Sequence, residues 1–291
     1  MIWFIFSILT AFFESMKDVF SKKSLKNIDD YIVSWSYSFF SLPFLIPILF
    51  FMEIPSLSIQ FWIILIIVGF LGSISTILYM KAIKSSDLSI TTPMLAFVPL
   101  FLLLTSPIML GEFPDSIGLI GIILIFAGSY LLNIKEINIG YLSPFRKLLK
   151  ERGPKLMLLV AFLWSISSNF HKMGIQESSP TFWAISLEIF LTIILTPIML
   201  YKSQKNLDQI KTGWKALIPI GFFSALTLIF QMNALKLALV VYVLSLKRTS
   251  VILDVLLGHF IFKEKNVYER LIGAVIMLIG VMFIVSSGAQ G

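Results

Sequence analysis

Apolar residues arrive in this chain in runs near twenty long, the length at which an α-helix crosses the hydrocarbon core of a bilayer. Ten such runs can be marked, at residues 2–21, 31–52, 60–80, 88–110, 115–134, 155–173, 181–201, 215–235, 239–261 and 267–287. In lipid every backbone N–H and C=O must find its partner inside the protein, so runs of this kind fold as helices. The expected class is an all-α membrane protein with ten transmembrane helices. Composition agrees, with 57% hydrophobic and 13% charged residues, against about 25% charged in an ordinary soluble domain. Met1-Ile2-Trp3-Phe4 lacks a basic n-region, and the apolar stretch continues past Glu14 without a small-residue cleavage site. It reads as a first span rather than a removable signal.

The formal charge is +7. In a soluble protein this would raise nucleic acid as a partner, but beside membrane spans Lys and Arg report orientation first, and no nucleic acid is expected. Of the 23 basic residues, 19 lie in or beside the loops after spans 1, 3, 5, 7 and 9, counting Lys17 with Lys22, Lys23 and Lys26 after the first. The other side holds only Lys172 and Lys236. The positive-inside rule then places the odd loops in the cytoplasm and both termini outside, in the cytoplasmic membrane. The remaining two, Lys247 and Arg248, fall inside span 9. There are no cysteines and two histidines, His171 and His259, so no metal centre and no cofactor are expected.

The chain repeats itself. With a shift of 152, Met80 pairs with Met232, Ala82 with Ala234, Lys84 with Lys236, Glu112 with Glu264, Gly121 with Gly273 and Gly128 with Gly280. With a shift of 150, Ala11 pairs with Ala161, Ser15 with Ser165, Lys22 with Lys172 and Pro47 with Pro197. The organisation expected is a first five-helix repeat over 1–134, a basic inter-repeat loop over 135–154 and a second repeat over 155–291. Five spans is an odd number, so the copies enter the membrane with opposite orientation. Inverted repeats of this kind are the architecture of secondary transporters with a midplane site.

The motifs carried twice are Ala82-Ile83-Lys84, Leu110-Gly111-Glu112, Gly118-x-x-Gly121 and Ala127-Gly128, answered by Ala234-Leu235-Lys236, Phe262-Lys263-Glu264, Ile272-Gly273-Ala274 and Ile279-Gly280-Val281. This pattern resembles the EamA-like transporters of the drug/metabolite transporter superfamily, over essentially the whole chain. The resemblance implies ten helices around a central cavity and the movement of metabolites by alternating access. The run Ser245-Leu246-Lys247-Arg248-Thr249-Ser250-Val251 is also similar to the Lys-Arg pair of the triose-phosphate and nucleotide-sugar branches, which implies an exchanger of phosphorylated metabolites as the alternative.

Charges near the bilayer centre are costly, by about 2.5–3.5 kcal/mol or more each, so they mark candidate sites. Lys247 and Arg248 offer carboxylate or phosphate a point charge and a planar fork. The opposing reading pairs them internally with Glu188 and Asp254 at comparable depth. Glu14, near the middle of span 1, is a candidate for proton coupling or substrate contact, with Lys17 at i,i+3 as its alternative partner. Glu188 is a second coupling candidate and is expected to pair with Lys247 or Arg248. Trp164 occupies the repeat position of Glu14 and so faces it across the cavity, while the repeat partners Tyr79 and Gln231 line it from spans 3 and 8. Asn169 and His171 read as helix–helix hydrogen bonders. Pro93, Pro99 and Pro107 are expected to kink span 4, and the paired glycines mark spans 5 and 10 as scaffold. Glu112 and Glu264 sit where capping of their own helices suffices.

The expectation is a secondary active transporter of a small polar, anionic metabolite, with a coupling proton, acting as monomer or homodimer. A lipid-acting enzyme or inert scaffold is the rival from another class. The sequence holds no clustered nucleophile or metal ligands for the enzyme, no catalytic residue is assigned, and a scaffold leaves the buried charges unexplained.

Overall fold

The computed structural model describes residues 1–86, 91–131, 151–262 and 271–288, and every regular element among them is a helix. The helices are α1 (Ile2–Ser24), α2 (Asp30–Phe39), α3 (Leu42–Leu45), α4 (Ile59–Ser85), α5 (Phe97–Leu110), α6 (Ser116–Leu131), α7 (Arg152–Gln176), α8 (Pro180–Lys202), α9 (Asp208–Leu237), α10 (Val240–Lys247), α11 (Ser250–Phe262) and α12 (Leu271–Gly288). Residues 132–150 and 263–270, with most of the inter-repeat loop and Glu264, lie outside the described residues, as do the side chains of Pro93 and His259.

The helix boundaries follow local chemistry. Ser58 and Ser179 accept from the backbone N–H groups of Phe61 and Phe182, capping α4 and α8, and Asp29 does the same for α2 through Tyr31. Each supplies an acceptor to an N–H that the helix leaves without an internal partner. α5 ends at Gly111, whose φ of +68° is a left-handed cap that a side chain would disfavour. Proline breaks the fourth span, as expected, and also the second, where no break was expected. The second divides into α2, α3 and a 3₁₀ turn at Ile46–Phe51, and the fourth opens as a 3₁₀ turn at Thr92–Ala96 before α5. Span 9, expected as one helix, is instead two: α10 stops at Lys247 and α11 begins at Ser250.

The outward surface is apolar. On α4, Ile63, Ile66, Ile67, Phe70 and Ile74 are exposed at helical spacing while Phe61, Ile64, Leu65 and Val68 are buried, so one face meets lipid and the other the core. Asp30–Phe51, α4, α8 and α9 are each long and apolar enough to cross a membrane. In α1 an otherwise apolar helix is interrupted by buried Glu14, Lys17 and Asp18.

The two halves interleave. α1 packs along α9 and against α10 and α11, and its repeat counterpart α7 packs along α4 and α5. Each bundle therefore takes helices from both halves, and exchanging the repeats exchanges the bundles. α2 packs against α8 and α6 against α12, as two pairs that straddle the exchange axis. The α6/α12 pair is antiparallel and close: a Cβ on Gly121 would lie 2.7 Å from the Gly280 carbonyl oxygen, and one on Gly128 would lie 2.5 Å from that of Gly273. The paired glycines are where two backbones touch.

Overfilling a packed interface costs about 1–3 kcal/mol. Gly128→Leu should therefore lower the melting temperature of the purified protein in detergent, whereas Ile123→Leu, on the lipid-facing side of α6, should leave it unchanged. Equal melting of the two variants would mean that α6 and α12 do not meet at their glycines.

Candidate functional site

Where the bundles face each other the lining changes from apolar to charged. Glu14 on α1 is the hub: its carboxylate pairs with Lys17 Nζ at 2.7 Å, one turn along the same helix, and with Lys247 Nζ at 3.3 Å from the end of α10. Lys247 also donates to Gln231 Oε1 on α9 at 2.7 Å. Asp18 lies 3.8 Å from Lys17 and accepts from the Tyr79 hydroxyl of α4, which ties the second bundle to the first. The Tyr79 ring stands 5.2 Å from that of Trp164. Lys247 and Arg248 lie over the Trp164 ring at 5.3 and 5.7 Å, and Lys17 over those of Tyr37 and Tyr79 at 4.8 and 5.2 Å. These groups are all largely or fully buried, Lys17 and Glu14 to 1% exposure each.

A cavity of about 80 Å³ lies at the centre of this cluster, with room for a few water molecules. Its walls are Lys17, Gln231, Leu244 and Lys247 from the first bundle, Tyr79, Trp164 and His171 from the second, and Tyr37 and Glu188 from the α2/α8 pair. Of the residues expected from sequence, Lys247, Glu188, Trp164, Tyr79 and Gln231 all line it. Glu14 stands behind Lys17 and Lys247.

Several expectations change. Lys247 is neutralised by Glu14 and not by Glu188, whose carboxylate accepts from Ser41 Oγ at 3.2 Å and lies within 4 Å of no lysine or arginine among the described residues. Arg248 does not share the cavity. Its Nε donates to Leu244 O at 3.3 Å, its two terminal nitrogens have no hydrogen-bond partner among the described residues, and it sits behind Trp164. Asp254 likewise has two unbonded carboxyl oxygens and makes no ion pair with Arg248 among the described residues. Lys17, counted from sequence as an orientation charge, takes the place beside Lys247 that Arg248 was expected to fill. Asn169 and His171 are helix–helix hydrogen bonders, as expected: Asn169 bridges to Ser106 and Thr105 of α5, and His171 Nδ1 accepts from Trp183 Nε1 at 3.0 Å. Sequence reasoning missed Tyr37 and Ser41, and placed Asp18 one turn from Glu14 without assigning it to the site. The signal for Asp18 was present in the spacing of Glu14, Lys17 and Asp18, at i, i+3 and i+4 on one face of an apolar helix.

Each end of the cleft between the bundles is closed by a lysine. Lys22, at the end of α1, donates to Ile83 O at 2.5 Å and to Ser86 O beyond α4. Its repeat counterpart Lys172, near the end of α7, donates to Ala238 O beyond α9 at 2.8 Å. Ser86 and Ala238 are themselves repeat partners at the shift of 152. Lys172 also pairs with Glu112, whose other oxygen accepts from the Val240 N–H at 3.0 Å. Glu112 thus caps α10 of the other half, correcting the expectation that it serves only its own helix. The same end opens into a vestibule of about 640 Å³ lined by Trp3, Asp115, Lys172, Lys236, Tyr242 and Ser287. There the Ser287 hydroxyl and the Gly118 N–H hold the Asp115 carboxyl below the ordinary carboxylate range.

A ten-span chain of two inverted halves, with its charges gathered between two exchangeable bundles, has the build of a membrane carrier. The family model of the EamA-like transporter family matches residues 1–134 and 152–286. The chain belongs to that family and is an integral membrane transporter of the drug/metabolite type. One solved crystal structure superimposes with a TM-score of 0.68 at 13% identity, over 99% of this chain and 98% of that one, which establishes the likeness of fold. No curated protein sequence matches.

Removing one side of a buried ion pair costs about 3–5 kcal/mol because the partner charge is stranded. Glu14→Gln should therefore reduce thermal stability sharply, and Lys247→Met added to it should recover part of the loss. A Glu14→Gln protein that melts like the wild type would show that the pairs do not organise the cluster.

Proposed function

We propose that the protein is a secondary transporter of a small polar metabolite bearing an anionic group, carried between the bundles by alternating access. The observation that carries this reading is the Glu14 hub. Two lysines that reach the cavity share the Glu14 carboxylate from behind it, with Asp18 a longer second partner of Lys17, so Glu14 acts as an internal stand-in for a solute anion. A carboxylate or phosphoryl oxygen entering the cavity competes for Lys17 and Lys247 in a water-poor site, where charge-assisted hydrogen bonds are strong. The break between Lys247 and Ser250 supports the same reading, because interrupted helices place polar backbone and charge at carrier midplanes. Of the Lys-Arg pair only Lys247 lines the cavity, which favours a small anionic group over a phosphorylated solute gripped by both residues.

Alternating access needs closure at each end in turn. Lys22 and Lys172 bridge the bundles at opposite ends, since Trp3 at the start of α1 shares the vestibule with Lys172 while Lys22 lies at the far end of the same helix. Both bridges are made among the described residues and the central cavity holds about 80 Å³, which supports an occluded conformation. Breaking the Lys172 bridge extends the vestibule toward the cavity, and breaking the Lys22 bridge opens the other face. By the distribution of cations the Lys22 end is cytoplasmic.

In proteoliposomes the wild type should exchange at least one anion-bearing metabolite from a labelled panel. Lys247→Ala should reduce that exchange roughly 30-fold or more, the cost of losing one buried charged partner. Exchange that survives Lys247→Ala, or a carrier that moves only uncharged solutes, would contradict the anion reading. The chain has no native cysteine, so a Ser168→Cys reporter in the cavity wall is its sole thiol. Added Lys172→Ala should speed its reaction with an impermeant thiol reagent from the vestibule side, and added Lys22→Ala should slow it. Equal rates in both would refute the pair of bridges.

A further inference from the structure

We infer that the vestibule at the Lys172 end is a receiving site for a soluble oxyanion, a carboxylate or phosphate group, and that its occupant opens the adjacent bridge. Lys236 is the residue that meets the anion first. The inference rests on the transport reading above and adds what unlocks one of its two ends.

The two ends of the cleft repeat each other in their bridges but not in the lysines beside them. At the Lys22 end, Lys84 is neutralised by Asp30, the first residue of α2, at 2.9 Å. At the other end the counterpart of Lys84 is Lys236, while the counterpart of Asp30, at the shift of 150, is Pro180 at the start of α8. The acid has no equivalent there. Lys236 is exposed and makes no ion pair or hydrogen bond among the described residues. It stands in the wall of the vestibule, two residues before Ala238, whose carbonyl Lys172 holds. Asp115 shares that wall but does not serve Lys236. Its carboxylate accepts from the Gly118 N–H at 2.8 Å, the Tyr242 hydroxyl at 3.0 Å and the Ser287 hydroxyl.

Lys172 is the partner that can move. It also lines the vestibule, and it is held by the Ala238 carbonyl and by Glu112. When Lys172 leaves, Glu112 keeps the Val240 N–H at the start of α10, so its charge is not stranded. With the bridge closed, an oxyanion in the vestibule meets Lys236 alone. With the bridge open it meets Lys236 and Lys172 together, two ammonium donors for one charged acceptor. A ligand shifts a conformational equilibrium by the difference in its affinity for the two states, and the second lysine is that difference. The Lys22 end lacks the trigger because Lys84 already has its carboxylate.

The test uses the full-length chain in proteoliposomes with the Ser168→Cys reporter. An uncharged impermeant maleimide is added from the vestibule side in sodium chloride, sodium acetate or sodium phosphate at equal ionic strength. Acetate or phosphate should speed labelling about fivefold, the lower end of ordinary coupling between two sites. An anion that merely shielded the reporter from inside the cavity would slow it instead. The distance between spin labels at Gln176 and Leu237, which shielding does not move, is read in the same three salts and should lengthen in the oxyanion. Lys236→Gln should abolish both effects, Lys236→Arg should retain them, and Lys84→Gln, at the counterpart position, should leave them in place. The inference is overturned if the distance is the same in all three salts, if the effects survive Lys236→Gln, or if Lys84→Gln removes them equally. It is also overturned if opening follows the phosphatidylglycerol content of the vesicles and not the soluble anion, which would make the occupant a lipid headgroup. The transport reading fails on a different result, the absence of exchange for every anion-bearing metabolite of the labelled panel.

Discussion

A charge in the interior of a bilayer must find an opposite charge or water, and the arrangement of this protein around Glu14 follows from that requirement. One carboxylate on α1 holds Lys17 of its own helix and Lys247 of α10, and Lys247 in turn reaches Gln231 of α9. That set draws three helices of one bundle to a common point. Asp18, drawn into the same set by Lys17, takes the hydroxyl of Tyr79 and so attaches the opposing bundle. The cavity is what remains between the charged wall of the first bundle and the aromatic wall of the second, with Glu188 of the α2/α8 pair beside them. A core of aliphatic residues would pack these helices more cheaply, so the cluster carries a cost that packing alone does not explain.

The inverted repeat supplies the mechanics. Because α1 belongs with α9 to α11 and α7 belongs with α4 and α5, the packed units are mixed bundles and not the two halves of the chain. The α6/α12 contact, with backbone against backbone at the paired glycines, joins the halves at one side. The lysine bridges repeat the symmetry in hydrogen bonds, each running from the end of a repeat's first span to the carbonyl just beyond its third. Symmetry at the ends contrasts with asymmetry at the centre. Glu14 stands opposite Trp164 and Tyr79 opposite Gln231, so the two cavity walls offer different chemistry to the solute.

Much of the fold could be read from the residues because lipid leaves so few solutions: helix positions follow from apolar length, and the pseudo-symmetry follows from polar, Gly and Pro coincidences that hydrophobic composition does not produce. Five of the seven residues expected at the site line the cavity, since charged and aromatic side chains at mid-span depth have few other places to go. What failed was partner choice. Depth alone put Glu188 and Asp254 level with Lys247, but pairing depends on which helices are neighbours, and α1 rather than α8 lies against α10. Lys17 counts with the loop charges as well as reading as the i,i+3 partner of Glu14, and the second reading is the one its shared face with Glu14 produces. The break after Lys247 left no proline or glycine to announce it, and Glu112 was assigned to its own helix because a cap across the repeat cannot be seen without the packing.

The central claim is that the two mixed bundles rock about the charged cluster so that the ends open in turn. It is tested most directly by spin-label distances in the naturally cysteine-free chain. One pair of labels sits at Lys23 and Ser85, at the Lys22 end of α1 and α4, and the other at Gln176 and Leu237, at the Lys172 end of α7 and α9; none of the four is a bridge residue, and all four are exposed. In nanodiscs with a transported solute, the account predicts that the two distance distributions shift in opposite directions, one end lengthening as the other shortens. Distances that stay fixed, or that lengthen together at both ends, would contradict it.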